Sequence, residues 1–183
     1  MLDDNLELLS RCLKKDVSAE YQLYRHFAPK MYGICLRYGG NENDAAEILQ
    51  LGFIRLFNNL YQFRCEGSLE GWVQRIFVTT AINYYKKQLK FNQHVELNNA
   101  NEDTTIQEDS LSIMSAKELL AIIQSLPPGY RTVFSMHEIE GYGHKEIAGL
   151  LGITEGTSKS QLHLARHSVR RMLKEREKEN IIG

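Results

Sequence analysis

Apolar residues in this 183-residue chain return at intervals of three and four over almost its whole length. Leu6, Leu9 and Leu13 open the pattern, and Leu23, Phe27, Met31 and Ile34 continue it. Ala45, Ile48, Leu49, Phe53, Leu56, Phe57 and Leu60 form a third stripe. Such spacing lines one side of a helix, whereas a half-buried strand would alternate at every second position. Prolines, which break helices from within, occur only as Pro29, Pro127 and Pro128. The chain is therefore expected to be all-α. Its 43% apolar content is enough to bury cores, which excludes wholesale disorder.

The pauses between stripes carry turn chemistry. Tyr38-Gly39-Gly40-Asn41 supplies residues that tolerate the left-handed conformation and predicts a helix stop. Asn43 or Asp44 is expected to cap the next helix, over 45–60. Gly52 lies inside that stripe and is expected to let another backbone come close. Leu51 and Ile54 fall off the stripe and suggest a partner surface. Phe63-Arg64-Cys65-Glu66-Gly67-Ser68 reads as a loop with Ser68 capping a helix over 69–89. There Trp72, Ile76, Thr80 and Tyr84 share a face, with Trp72 expected in the core. Arg75, Lys86, Lys87 and Lys90 add positive charge, interleaved with Tyr84 and Tyr85.

The net charge of −1 conceals an asymmetry. Residues 91–116 contain no Lys or Arg but include Glu96, Glu102, Asp103, Glu108 and Asp109, which leaves +4 for the remainder. Like charges repel and extend a linker. The sequence thus predicts two small helical domains, over 1–90 and 113–183, joined by an acidic flexible linker over 91–112. No apolar run approaches the roughly 20 residues of a membrane span, so no membrane insertion is expected. Met1-Leu2-Asp3-Asp4 is acidic where a signal peptide would be basic, and a cytoplasmic location is expected. Cys12, Cys35 and Cys65 form no C-x-x-C pair, and His163 with His167 lacks a third ligand nearby, so neither zinc nor a disulfide framework is expected. No catalytic constellation or phosphate loop is present. An enzyme is not expected, nor a cofactor.

The second domain narrows the function. A helix over 114–124 carries Leu119, Leu120 and Ile123; Leu126-Pro127-Pro128-Gly129 forces a turn; a helix over 130–139 carries Val133, Phe134 and Met136. After the break at Glu140-Gly141-Tyr142-Gly143, residues 144–151 form an amphipathic helix with Ile147, Ala148, Leu150 and Leu151. Gly152-Ile153-Thr154 is the turn, and Thr154 caps a helix that runs to about residue 175. Ala148 is small enough for a second helix to cross above it, and Ile153 plugs the angle. This is a helix-turn-helix pattern, whose second helix enters the major groove of duplex DNA. Lys159, Arg166, Arg170, Arg171, Lys174, Arg176 and Lys178 lie on or just beyond that helix. Its first half offers Thr157, Ser158, Lys159, Ser160, Gln161 and His163 to base edges and phosphates. The bland alternative is a helical hairpin with a solvated basic face.

Three stretches in the right order also carry a family resemblance. They are Asp44-Ala45-Ala46-Glu47-Ile48-Leu49-Gln50 with Phe53; Phe63-Arg64, then Trp72-Val73-Gln74-Arg75-Ile76, Ala81 and Asn83-Tyr84; and Leu126-Pro127 through Gly156-Thr157-Ser158-Lys159-Ser160-Gln161-Leu162-His163. Together they resemble the extracytoplasmic-function (ECF, group IV) sigma factors of the sigma-70 family of bacterial RNA polymerase subunits. The resemblance implies a region 2 helical bundle that binds core polymerase and melts the minus-ten element, and a region 4 helix-turn-helix that reads the minus-thirty-five element. Asp44, Glu47, Ile48, Gln50, Leu51, Phe53 and Ile54 would meet the polymerase clamp helices, region 4 the flap. Phe63, Arg64, Ser68, Arg75, Thr79, Thr80, Asn83 and Lys86 would hold minus-ten DNA. Thr157, Ser158, Lys159, Ser160, Gln161, His163 and Arg166 would read the upstream duplex. An anti-sigma factor commonly holds such proteins. Melting asks for no covalent chemistry, only for capture of single-stranded bases, each contributing about 1–3 kcal/mol when stacked. Four residues depart from the family pattern: Leu51 for Glu, Thr79 for a frequent Asn, Ser158 for Val, and Leu164 for a basic residue. The competing function is a stand-alone helix-turn-helix regulator whose N-terminal block dimerises or senses.

Overall fold

A computed structural model describes residues 2–92 and 116–182, with side chains described for 7–89 and 116–176. All regular structure among the described residues is helical. The chain divides into two compact units, Met1–Asn83 and Tyr84–Gly183, so the division falls inside a helix rather than after it. The predicted acidic linker lies outside the described residues, apart from its first two, Phe91 and Asn92, which prolong that helix.

Unit 1 holds α1 (Leu2–Leu13), α2 (Val17–Gly39), α3 (Glu42–Asn59), a single 3-10 turn at Leu60–Gln62 and the start of α4 (Leu69–Asn92). Lys15 takes the left-handed conformation, φ 62°, between α1 and α2. Asp16 then caps α2, accepting from the Ser18 and Ala19 amides at 2.9 and 3.3 Å. Arg11 Nε donates to the other Asp16 oxygen at 2.8 Å and is the first cause of the lowered Asp16 pKa. The glycine stop appears as expected: α2 ends at Gly39, and Gly40 turns left-handed at φ 77°. The cap of α3 differs from expectation. Asn41, not Asn43 or Asp44, accepts from the Asp44 amide at 2.9 Å, while its own amide donates to the Asp44 carboxylate at 2.8 Å. Asp44 therefore sits one turn inside the helix.

Two glycines set the packing of unit 1. A Cβ on Gly39 would lie 2.8 Å from the Ala45 amide nitrogen, so the close backbone approach occurs here. Gly52 instead leaves room for a side chain: a Cβ there would overlap the Phe77 ring. Phe77 is fully buried and meets Phe53 edge-on, with ring centroids 5.1 Å apart. Leu23, Met31, Ile48, Leu56, Val73 and Val78 complete a core among α2, α3 and α4. Lys30 of α2 pairs with Glu70 of α4 at the surface. The core edge of α4 is thus Val73, Phe77, Val78, Ala81 and Ile82, and Trp72 is only half-buried, contrary to its expected place in the core.

Unit 2 contains α5 (Ala116–Ser125), α6 (Pro128–Phe134), a π-helical turn (Ser135–Ile139), α7 (His144–Leu151) and α8 (Glu155–Ile182). The turn before α6 is shorter than expected, because Pro128 is already helical. The first helical position needs no amide hydrogen, which suits proline. Arg131 is buried and donates to the Gln124 and Leu126 carbonyls at 3.1 and 3.2 Å, holding the end of α5. Ile122, Leu126, Ala165 and Val169 form a core cluster that ties α5 to α8, with Tyr130, Phe134, Met172 and Leu173 packed around it.

Gly52→Ala tests the seating of Phe77. Overpacking a rigid core costs about 1–3 kcal/mol, against a helix-propensity gain of at most about 1 kcal/mol for Ala over Gly. The expected net result is destabilisation, read as a lower midpoint in urea or thermal unfolding.

Candidate functional site

In unit 1 the C-terminal turn of α3 and the first half of α4 enclose a groove of about 330 Å³, lined by Arg55, Asn59, Gln62, Trp72, Arg75, Ile76 and Thr79. Two guanidinium groups, two amides and a hydroxyl surround an indole and an aliphatic wall. That mixture suits the phosphates and base faces of a single nucleic-acid strand. The groove is shaped by short-range hydrogen bonds. Asn59 donates to the Arg55 carbonyl at 2.8 Å, and Gln62 donates to Asn59 Oδ1 at 3.0 Å. Trp72 is held from outside by Phe63, whose ring centroid lies 5.3 Å away. Of the residues expected to hold minus-ten DNA, Arg75 and Thr79 enter the groove and Phe63 buttresses its indole. Arg64, Ser68 and Asn83 are exposed, and Lys86 is half-buried further along α4. Ser68 Oγ accepts from the Gly71 amide at 3.4 Å, a weak version of the cap expected of it.

Thr80 is a correction. It is 1% exposed, its hydroxyl donates to the Ile76 carbonyl at 2.7 Å, and it accepts from Arg55 Nη1 at 3.3 Å. It holds Arg55 in the groove wall but presents no surface itself. Arg55, Asn59 and Gln62 were not identified from the sequence; they join the groove only because α3 packs beside α4.

The outer side of α3 separates the residues expected to meet polymerase. Glu47, Gln50, Leu51 and Ile54 are exposed on one side, with Leu51 at 38% and Ile54 at 50%. Asp44 is half-buried against Asn41. Ile48 and Phe53 are corrections: at 0% and 5% exposure both belong to the core and are withdrawn from any contact face.

Unit 2 supplies a helix-turn-helix. The Glu146 carboxylate accepts from the Gly143 amide at 2.8 Å at the start of α7. Gly152 ends α7 left-handed, φ 72°, where other residues would be strained. Thr154 Oγ1 accepts from the Thr157 amide at 3.0 Å and opens α8. Ile147, Leu151 and Leu162 are buried, and Ile153 is half-buried. Lys159, Ser160 and His163 are exposed on α8, while Thr157 and Gln161 are half-buried. Arg166 is exposed but engaged: its Nε and Nη2 donate to Glu138 Oε1 at 3.0 and 2.6 Å. Ser158 is a correction. It is 0% exposed and its hydroxyl lies 2.9 Å from His144 Nδ1, so it cannot reach a base edge. Among the described residues, no group of three His, Cys, Asp or Glu side chains is placed to hold a metal ion.

Both surfaces coincide with known sequence families. Residues 23–91 match Sigma-70 region 2, and residues 116–168 match Sigma-70, region 4. The chain belongs to the sigma-70 family. Within it the chain is an ECF-type member, and its relatives carry that description. It is 27% identical over 157 residues to the ECF RNA polymerase sigma factor SigE of Mycolicibacterium smegmatis, covering 81% of this chain and 59% of that one. It therefore spans less than two thirds of that relative's length. It is also 27% identical over 173 residues to the ECF RNA polymerase sigma-E factor of Haemophilus influenzae, covering 88% and 91% of the two chains. The fold is similar to that of the sigma factor RpoE from Bartonella quintana, solved with the anti-sigma factor NepR. The TM-score is 0.50 at 17% identity, covering 84% of this chain and 96% of that one. No helix among the described residues of this sigma-70 family member is long and apolar enough to cross a membrane.

The half-buried indole makes a measurable distinction. Phe77→Ala should cost about 3–5 kcal/mol of stability, as for a fully buried aromatic. Trp72→Ala should cost clearly less in the same urea titration, because its loss opens a surface groove rather than a core.

Proposed function

We propose that this chain directs promoter-specific initiation by core RNA polymerase, opening the minus-ten element with unit 1 and reading the minus-thirty-five element with α8. The observation that carries this is the occurrence of region 2 and region 4 in one chain, in that order. The groove chemistry supports it. Trp72 offers a stacking face, while Arg55 and Arg75 supply charge at the strand's backbone. Flipped or melted bases are read on edges that pairing would hide, and Asn59, Gln62 and Thr79 provide the matching donors and acceptors. On the duplex, Lys159, Ser160 and His163 are the exposed readers.

In this reading, residues 1–90 bind polymerase and the minus-ten strand, 91–112 connect, and 113–183 read the upstream duplex. The exposed Glu47, Gln50, Leu51 and Ile54 side of α3 meets the clamp helices, and unit 2 meets the flap. The chain does no covalent chemistry; polymerase does. It acts in the cytoplasm, where polymerase and promoters are. An anti-sigma factor, such as the one solved with the Bartonella quintana relative, would compete for these same faces.

Run-off transcription with purified core polymerase tests the proposal. Added chain should bind core and produce promoter-dependent transcripts. A chain that binds duplex DNA alone but neither binds core nor initiates would instead be a stand-alone regulator. Lys159→Ala should reduce transcription mainly on templates with an intact upstream element. An equal loss on templates with that element scrambled would contradict the role given to α8.

A further inference from the structure

The departure at Ser158 has a partner. Ser158 is fully buried in the first turns of α8, and its hydroxyl lies 2.9 Å from His144 Nδ1. His144 is the first residue of α7. Its ring stacks on that of His137, with centroids 4.7 Å apart and planes 28° from parallel. His137 Nδ1 in turn lies 3.1 Å from Glu138 Oε1, the oxygen that accepts both Arg166 bonds. Ser158, His144, His137, Glu138 and Arg166 therefore form a continuous belt. It leaves α8 at one turn, crosses α7 and the π-helical turn, and returns to α8 eight residues later, about 12 Å along the axis. Lys159, Ser160 and His163, the exposed readers, lie between its two attachment points.

We propose that His144 is a positioning residue for duplex reading, holding the orientation of α8 through Ser158 at one end and through His137, Glu138 and Arg166 at the other. This rests on the assignment of α8 to the upstream element. The bland alternative is that the His144–Ser158 contact merely fills space, as Val would at that position. Geometry argues against it, because a buried hydroxyl without its partner carries the full cost of its lost hydration. The belt also occupies Arg166, so that cation is directed by Glu138 rather than free to settle on any phosphate.

The belt contains a proton site. The His144 pKa is lowered, first by burial and then by the nearby charges of His137, Lys159 and Arg166, with Glu155 opposing. The titratable and charged groups that act on it are His137 on the π-helical turn and Glu155, Lys159 and Arg166 on α8. Glu138 reaches it only through His137 and Arg166, and Lys145 and Glu146 follow it on its own helix. A lowered histidine pKa means that the folded state prefers the neutral ring. The contribution is present above the ordinary value near 6.5 and is lost as pH falls through the folded value. Acidification should then loosen the belt by placing charge on the His144 ring, beside His137, Lys159 and Arg166.

The test uses the full chain with core polymerase on promoter templates with intact or scrambled upstream elements. The ratio of transcripts from the two templates isolates upstream reading from the rest of initiation. His144→Phe keeps a ring for stacking but strands the Ser158 hydroxyl; the ratio should fall by about fivefold. Adding Ser158→Val to His144→Phe removes both polar partners and should recover most of that loss, a coupling that only a direct pair produces. His144→Asn keeps a hydrogen-bonding atom near the Nδ1 position without titrating. Wild type should hold its upstream dependence from about pH 7.5 down to about pH 6.5 and lose it as pH falls further, and His144→Asn should lose much less. Thermal unfolding of each variant identifies any that fails to fold, and His144→Asn, the mildest change, then decides by its pH profile alone. Additive losses in the double variant, or identical pH profiles for wild type and His144→Asn, would overturn the proposal. Lys159→Ala provides the control: if it too leaves the template ratio unchanged, the assignment of α8 has failed, not the belt.

Discussion

Phe77 fills the space that Gly52 leaves in α3, and this contact fixes how α4 is rotated about its own axis. A helix that must turn Phe77, Val73 and Ala81 inward has no freedom left in where it turns Trp72, Arg75, Ile76 and Thr79. Those residues then face the end of α3, and the groove exists because of it. Rotating α4 by one residue, about 100°, would bury Thr79 or Trp72 and expose Phe77. The hydrophobic term of a buried phenylalanine, about 1.5–3 kcal/mol before cavity costs, is larger than any polar contact in the groove wall. Binding chemistry at the surface is therefore decided by packing one layer below it. Thr80 shows the coupling at atomic scale, since it sits in the core layer yet restrains Arg55 in the groove.

Unit 2 follows the same logic with different means. Local backbone chemistry makes the turn of the helix-turn-helix, through left-handed Gly152 and the Thr154 cap. The angle at which α8 leaves it is another matter. That angle depends on the apolar cluster of Ile122, Leu126, Ala165 and Val169 and on the clip that buried Arg131 places on α5. The polar belt through His144 is laid over this apolar frame. Apolar contacts are non-directional and tolerate small rotations. Hydrogen bonds near 2.9 Å do not. A reader of base edges needs the second kind of control as well as the first.

The sequence showed the elements whose causes are local. Helical periodicity, the Gly39-Gly40 stop, the Gly152 turn and the Thr154 cap all act within a few residues, and each appears where it was expected. Apart from the α3 cap, which fell to Asn41 rather than Asn43 or Asp44, what escaped has non-local or unusual causes. Lys15 adopts a left-handed conformation without being Gly or Asn. Trp72 and Phe77 belong to adjacent apolar stripes of one helix, and only the partner helix decides which stripe is inside. Asn59 and Gln62 matter because of α4, not because of their neighbours in sequence. Ser158 looked like a DNA contact because its type and place suited one, until its burial and its tie to His144 gave it another task. The family resemblance supplied the function earlier than the residues alone could, but it did not separate contacting residues from supporting ones.

The π-helical turn at Ser135–Ile139 gives the belt an arithmetic as well as a chemistry. Its hydrogen bonds span five residues instead of four, as in the Glu140 amide donating to the Ser135 carbonyl at 3.1 Å. One more residue is thus packed into the turn than an α-helix would hold. Removing any one of them would let the helix relax to ordinary winding and swing the residues that follow by about 100°. His137 and Glu138 would then leave His144 and Arg166, although no residue of the belt itself had changed. The number of residues between Ser135 and His144 is in this sense part of the reading apparatus, and the segment is constrained in its length as firmly as in its side chains.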